Sequence, residues 1–250
     1  MTKYIFIIYI PFLLIQFQGC ADISIQKQLK NNLCEAYYDD SETLLKTFFE
    51  QWEKEIKPIT GSELKILSDT LHNVYTIYDV YCNYELEKYP QAFRDCPYYI
   101  IQNEIKYTIS DQEHISYPIP DSTIILSKQI TNFRPFPQNI NKKYVYASSL
   151  YKAVLESFIT DKHGEEKKSK YYNNPWPGWP RANFLEQIVQ LRAGLLGFHY
   201  YTLPYISLDF NKNMNEVIIE SRLGNTWTSE LFILKNDVWV YRRSYNFSIE

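Results

Sequence analysis

Two short polar runs carry the residue types that hold cations or move protons: Asp111, Glu113 and His114 in SDQEHIS, and Asp161, His163, Glu165 and Glu166 in DKHGEE. On an extended segment alternate residues share a face, so carboxylate oxygens and imidazole nitrogens at this spacing can converge on one metal ion. Both runs read as solvated loops, and neither is assigned as a metal site. A different chemistry is offered by KYYNNPWPGWPR, where Tyr171, Tyr172, Trp176 and Trp179 stand among Pro175, Pro177 and Pro180. Proline stiffens the backbone and limits the ordering cost of holding an indole. The aromatic faces and the Asn173 and Asn174 amides suit the C–H faces and hydroxyls of a glycan, or a peptide. The competing reading is that the tryptophans pin a long loop onto the domain. No GxSxG, GxxxxGK[ST], HExxH or GxGxxG run is present, so no catalytic residue is assigned and no cofactor is expected. Convergent sites assembled from distant residues escape such a search.

The chain begins MTKYIFIIYIPFLLIQFQGCAD, with Lys3 the only charge before Asp22. The apolar run from Tyr4 to Ile15 is too short to span a hydrocarbon core of about 30 Å, which favours a signal peptide over a transmembrane helix. Where it is cut decides the localisation. The stretch FQGC resembles the lipobox of bacterial lipoproteins, in which a small residue precedes a lipid-bearing cysteine; Gly19 and Cys20 match, while Phe17 and Gln18 depart from it. That resemblance implies residues 1–19 as signal, Cys20 as the lipidated N-terminus, and a bacterial outer-membrane lipoprotein attached through palmitate-type acyl chains. An ordinary secretory cut after Ala21, giving a soluble secreted or periplasmic chain, is the alternative.

The rest of the 250-residue chain is long enough for a substantial core, and 45% hydrophobic with 22% charged residues describes a folded protein. Residues 20–130 carry 10 Lys and Arg against 18 Asp and Glu, and residues 131–250 carry 15 against 11. The basic clusters are only KKSK at 167–170 and Arg242 with Arg243, which argues against a nucleic-acid partner. Cys34, Cys82 and Cys96 remain after either cut; Cys82 with Cys96 is the more local disulfide pairing for an exported chain.

These residues need elements to position them. Leu44, Phe48, Trp52 and Ile56 recur every four residues and predict a helix over about 41–57, stopped by Pro58. Thr60 and Glu63 have capping-box spacing and open a second helix, carried by Leu64, Leu67, Leu71, Val74, Tyr75, Tyr78 and Tyr81 to about residue 82. His72 lies beside that stripe and reads as a surface residue. YYIIQNEIKYTIS alternates as one strand, a strand is placed at Thr123–Leu126, a short helix at Ser149–Ile159, and another helix from Phe184 to about Gly194. YISLDF, EVIIESRL, TWTSELFILK and VWVYRRSYNF, separated by NKNMN, GN and ND, predict an antiparallel meander.

Helices followed by a terminal meander define an α+β class. We expect a tether over 20–40 and a single domain over 41–250, with a loop-rich insertion at about 110–195. In element order the chain resembles the nuclear transport factor 2-like superfamily, a cone of helices on a curved sheet. In its signal, its lipobox and stretches such as FFEQWEKEIKPIT it resembles uncharacterised lipoproteins of gut Bacteroidetes. The first resemblance implies a ligand pocket between helix and sheet, with His199, Tyr201 and Trp227 as candidates to line it. Tyr171, Tyr172, Trp176, Trp179 and His199 are therefore the candidate ligand residues. Three functions remain open: non-enzymatic binding of a small molecule, glycan or protein at the envelope; a hydrolase or isomerase with a pocket between helices and sheet; and a structural or assembly subunit.

Overall fold

Helix α1 spans 23–38, and the chain continues through α2 (Glu42–Glu55), α3 (Gly61–Lys65), α4 (Asp69–Lys88), a 3-10 turn at Pro90–Ala92, and strands β1 (Tyr98–Gln102), β2 (Ile105–Ser110), β3 (Ile125–Ile130) and β4 (Lys143–Ala147). Then follow α5 (Ser149–Ile159), α6 (Trp179–Leu185), β5 (Arg192–Gly194), β6 (Gly197–His199), β7 (Tyr205–Phe210), β8 (Glu216–Leu223), β9 (Thr226–Lys235) and β10 (Val238–Ile249). The computed structural model describes residues 23–93, 96–120, 123–138, 142–161, 179–194 and 197–249.

Two compact units are present, where one domain was expected: the first runs to Phe48 and adds Ser149–Leu185, and the second comprises Phe49–Ser148 and Glu186–Glu250. The stretch read as a tether is helical from residue 23, because Leu33, Ala36 and Tyr37 recur at helical spacing and are buried. In this first unit Tyr37 meets Phe158 edge-on at 6.0 Å and Phe184 at 5.4 Å. The fully buried Arg181 donates to the Phe158 carbonyl at 2.9 Å and lies 3.7 Å from Asp161, which also pairs with Lys30 at 2.8 Å.

The second unit holds the α+β sheet. Its six strands run in the order β10-β9-β8-β7-β2-β3; neighbours are antiparallel except β2 and β7, which are parallel. The expected meander is present as β7 to β10. Two-residue turns set its last two hairpins: Gly224 takes φ 64°, and Asn236 and Asp237 take φ 50° and 62°, the left-handed values that match the twist of paired strands. One helix expected from about 61 to 82 is instead two. The capping box at Thr60 and Glu63 forms and opens α3, but Ser68 then accepts the Leu71 N–H at 3.4 Å and starts α4.

The strand expected through residues 98–109 is also interrupted. Gln102 accepts the Ile206 N–H at 2.7 Å and donates to the Ile206 and Glu104 carbonyls, while Asn103 donates to the Phe133 carbonyl at 2.8 Å. These side chains take the place of ladder partners, so the chain leaves a parallel pairing of β1 with β4 and enters the main sheet as β2. The helix expected to reach Gly194 ends at Leu185, and residues 192–194 pair with β6 as a short hairpin. Cys34, Cys82 and Cys96 form no disulfide, the 82–96 pairing included: Cys82 sits four residues from Tyr78 on the core face of α4 and is fully buried there.

Helix α4 lies on the core face of the sheet. Val74, Tyr78 and Tyr81 pack with Ile206, Leu208 and Phe210 of β7, Val217 and Ile219 of β8, and Phe232 of β9. Because Asp237 holds a left-handed backbone that costs a non-glycine residue roughly 1 kcal/mol, Asp237→Gly is expected to stabilise the protein by about 0.5–1 kcal/mol in urea unfolding. A loss of stability would show that the Asp237 side chain contributes to the turn.

Candidate functional site

One face of α4 changes character towards its C-terminus. Tyr81, Tyr84, Glu85 and Lys88 follow at helical spacing and continue the buried stripe, so three polar head groups and a carboxyl are directed at the sheet. Opposite them the strands present polar residues at core-facing positions: Ser221 of β8 stands across from Thr228 of β9, and Glu230 of β9 across from Ser244 of β10.

These groups form two adjoining networks. In the first, the Tyr81 hydroxyl donates to Ser221 Oγ at 2.7 Å, Ser221 Oγ lies 2.6 Å from Thr228 Oγ1, and Tyr81 closes the triangle to Thr228 at 3.3 Å. In the second, Glu230 is fully buried, and its Oε1 accepts from Lys88 Nζ at 2.5 Å, Ser244 Oγ at 3.0 Å and the Tyr84 hydroxyl at 3.2 Å. The Lys88 ammonium also lies 4.9 Å from the ring centres of both Tyr84 and Tyr89. Burial works against its charge, but the hydrogen bonds to Glu230 and Tyr84 outweigh this and hold its pKa above the ordinary lysine value.

Glu85 lies beside both networks and belongs to neither in full. It is 4% exposed, and its Oε1 has no hydrogen-bond partner. Burial, reinforced by the charge of Glu230, pushes its carboxyl up to about 7, against the opposing pull of Lys88. Glu85 also lines a cavity of about 210 Å³, with Tyr89 and Ala92 on one side and Ser221, Leu223, Thr226 and Thr228 of the β8–β9 hairpin on the other.

In two further cavities the carboxylates of the wall have partners. In the one beside Glu53, Lys143 lies 3.2 Å from the carboxylate and the Tyr98 hydroxyl donates to it at 2.9 Å. In the one beside Asp79, that carboxylate accepts the Gln138 N–H at 2.9 Å. Of these three cavities, the one at Glu85 has a nearly fully buried carboxyl in its wall.

Of the described residues singled out by sequence, Tyr201, Trp227 and His72 are not part of its wall. Cys20, Tyr171, Tyr172 and Trp176 lie outside the described residues; Trp179 opens α6 and His199 closes β6, with side chains that also lie outside them. Tyr201 is half-buried, with its ring centre 5.1 Å from that of Tyr205. Trp227 is 37% exposed, 4.9 Å from the Arg222 guanidinium, and strand alternation sets it on the face opposite Thr226 and Thr228. His72 is exposed, as expected. In SDQEHIS, His114 Nδ1 lies 2.8 Å from Glu216, and Glu113 takes Lys212 at 3.3 Å and Asn213 at 2.8 Å, so the run fastens a loop to the β7–β8 turn.

Sequence reasoning missed Tyr81, Glu85, Lys88 and Glu230 as a group, although the signal was present. Glu85 and Lys88 stand in phase with the apolar stripe of α4, and Glu230 shares its strand parity with Phe232. Among the described residues no group of three or more His, Cys, Asp or Glu side chains is placed to hold a metal ion. No known protein family, curated protein or solved structure matches this chain.

The site makes stability depend on pH. The Glu85 carboxyl titrates near 4.5 when unperturbed and near 7 when folded, so between these values the folded protein holds a proton that the unfolded chain has lost. Its favourable contribution is therefore complete below about pH 4.5 and is lost as pH rises through about 7. Glu85→Gln is expected to flatten this slope and to leave the variant more stable than wild type at pH 8, by on the order of 2 kcal/mol. Urea unfolding at pH 5 and pH 8 checks this; parallel wild-type and variant curves would place the ionised carboxylate in a solvated environment.

Proposed function

We propose that this protein is a lipid-anchored bacterial envelope protein that binds a small molecule in the cavity between the end of α4 and the β8–β9 hairpin. The observation that carries the binding reading is the Glu85 carboxyl, almost wholly buried and yet part of the cavity wall. A charge taken out of water is costly unless it is paired, and a guest that pairs with the carboxylate offsets that cost on binding. The likeness to nuclear transport factor 2-like cones rests on the same placement, a helix crossing the core face of a sheet with a cavity at one end. Lipid attachment at Cys20 rests on FQGC after a short apolar run. No helix among the described residues is long and apolar enough to cross a membrane.

A second reading, an enzyme of hydrolase or isomerase type, draws on one specific feature. A carboxyl near pKa 7 in a cavity is poised to give and take a proton at neutral pH. Turnover of a bound ligand, abolished in Glu85→Gln, would decide for it over simple binding.

Two measurements test the proposal. Expressed with its own signal in a bacterial host, the wild type is expected to gain acyl mass and partition with detergent, while Cys20→Ala does neither; an unmodified chain beginning at Asp22 would remove the anchor. For the cavity, thermal unfolding in the presence of small polar amines, sugars and amino acids is expected to shift upward by several degrees for at least one compound at high excess. The shift is expected to vanish in Ala92→Phe, whose ring enters the cavity from its half-buried rim. A shift that persists in that variant would locate binding elsewhere.

A further inference from the structure

We infer that the cavity beside Glu85 takes a small primary ammonium compound with a short apolar body, its ammonium group lying against the Glu85 carboxylate. This rests on the cavity being the ligand site and goes on to name the chemistry it selects.

The first ground is the balance of donors and acceptors. At the polar end of the cavity stand the Glu85 carboxyl and the side chains of Ser221 and Thr228. Those two hydroxyls and Tyr81 are already bonded to one another, with contacts of 2.6 to 3.3 Å. The group of this wall that can carry charge is therefore the Glu85 carboxylate, an acceptor. A primary ammonium offers three donors and a positive charge, which complements it. A hydroxyl guest brings a single donor and no charge.

The second ground is charge. Glu85 and Glu230 are two buried carboxylates beside one ammonium, Lys88, and that ammonium is engaged with Glu230 Oε1 and set over the rings of Tyr84 and Tyr89. With both carboxylates ionised, the pair of networks carries one uncompensated negative charge out of bulk water. A bound cation supplies the missing counter-charge, and an anion adds to the excess.

The third ground is shape. Away from the carboxyl, the wall includes Tyr89, Ala92, Leu223 and Thr226. An apolar cavity of about 150 Å³ accepts a benzene-sized guest, so the volume of about 210 Å³ has room for such a body and a head group. Tyr89 also offers an aromatic face to a cation.

Benzylamine, benzyl alcohol and benzoate share one body and differ in head group, which makes them suitable probes of the full chain, by calorimetry and by amide shifts in nuclear magnetic resonance. At pH 8 benzylamine is expected to bind at least tenfold more tightly than benzyl alcohol, benzoate to give no detectable binding, and Glu85→Gln to weaken benzylamine at least tenfold while its unfolding remains cooperative. The titratable and charged groups that face Glu85 are Tyr81, Cys82 and Lys88 of its own helix, Tyr89 beyond the helix end and Glu230 of β9. Of these, Glu85 is the group that takes up a proton near neutrality, so benzylamine affinity is expected to fall at least tenfold between pH 8 and pH 5.5. Benzyl alcohol binding as tightly as benzylamine, or Glu85→Gln leaving benzylamine affinity unchanged, would overturn the ammonium assignment and leave the cavity as a ligand site. Absence of amide shifts at Ser221, Thr226 and Thr228 with all three probes would overturn both.

Discussion

The docking of α4 across the core face of the sheet is the interaction on which the rest of the second unit depends. Its stripe is built from tyrosines rather than leucines, and that choice sets two demands at once. The rings bury large apolar areas against Ile206, Leu208, Phe210, Val217 and Phe232, which secures the helix. The hydroxyls travel with the rings and need partners where they arrive. Tyr81 therefore requires polar residues on strand positions that would otherwise be apolar, and Ser221 and Thr228 occupy them. The polar interior at this end of the sheet follows from the aromatic stripe.

Lys88 and Glu230 extend the same logic to charge. Glu230 is sustained in full burial by three donors on one oxygen, and Lys88 keeps its proton because that carboxylate accepts from it. Ion pairs of this kind contribute less to stability than their geometry suggests, since desolvation offsets attraction, but removing one partner leaves an isolated buried charge at a cost of several kcal/mol. Glu230 keeps one oxygen without a partner even so, and Glu85 has no comparable set of donors on either oxygen. Its shift to about 7 is how the fold accommodates it, by keeping the carboxyl protonated through the mildly acidic range. A residue that breaks the local rules of burial without a visible structural return is where function is to be sought.

Legibility in the sequence followed how local the causes were. The meander was readable because its turns are encoded by the residues that make them, with Gly224 and Asn236–Asp237 adopting left-handed backbone between alternating runs. The capping box at Thr60 was readable for the same reason. The break at residues 102–103 was not, because its cause is side chains of Gln102 and Asn103 satisfying backbone groups of Ile206 and Phe133, far away in sequence. Pairing of β1 with β4 is equally non-local. The site is hard to read for a subtler reason: glutamate is a residue type that is mostly solvated, yet Glu85 and Glu230 each stand in phase with apolar neighbours, and phase is what buries a residue whatever its polarity.

The cavity itself is a consequence of where α4 must stop. Pro90 disfavours helical geometry at the residue before it, and Tyr89 accordingly leaves the helix at φ −130° and ψ 54°. The chain then turns through Pro90–Ala92 instead of continuing over the β8–β9 hairpin. Strands β8 and β9 extend beyond that point to Leu223 and Thr226, so the last residues of the hairpin have Tyr89 and Ala92 beside them in place of another helical turn. A helix one turn longer would fill this space with a side chain and give the sheet a closed end. With the stop at Tyr89, the fold leaves a void whose wall includes a buried carboxyl, and the same proline that ends the helix is what keeps Glu85 beside open space.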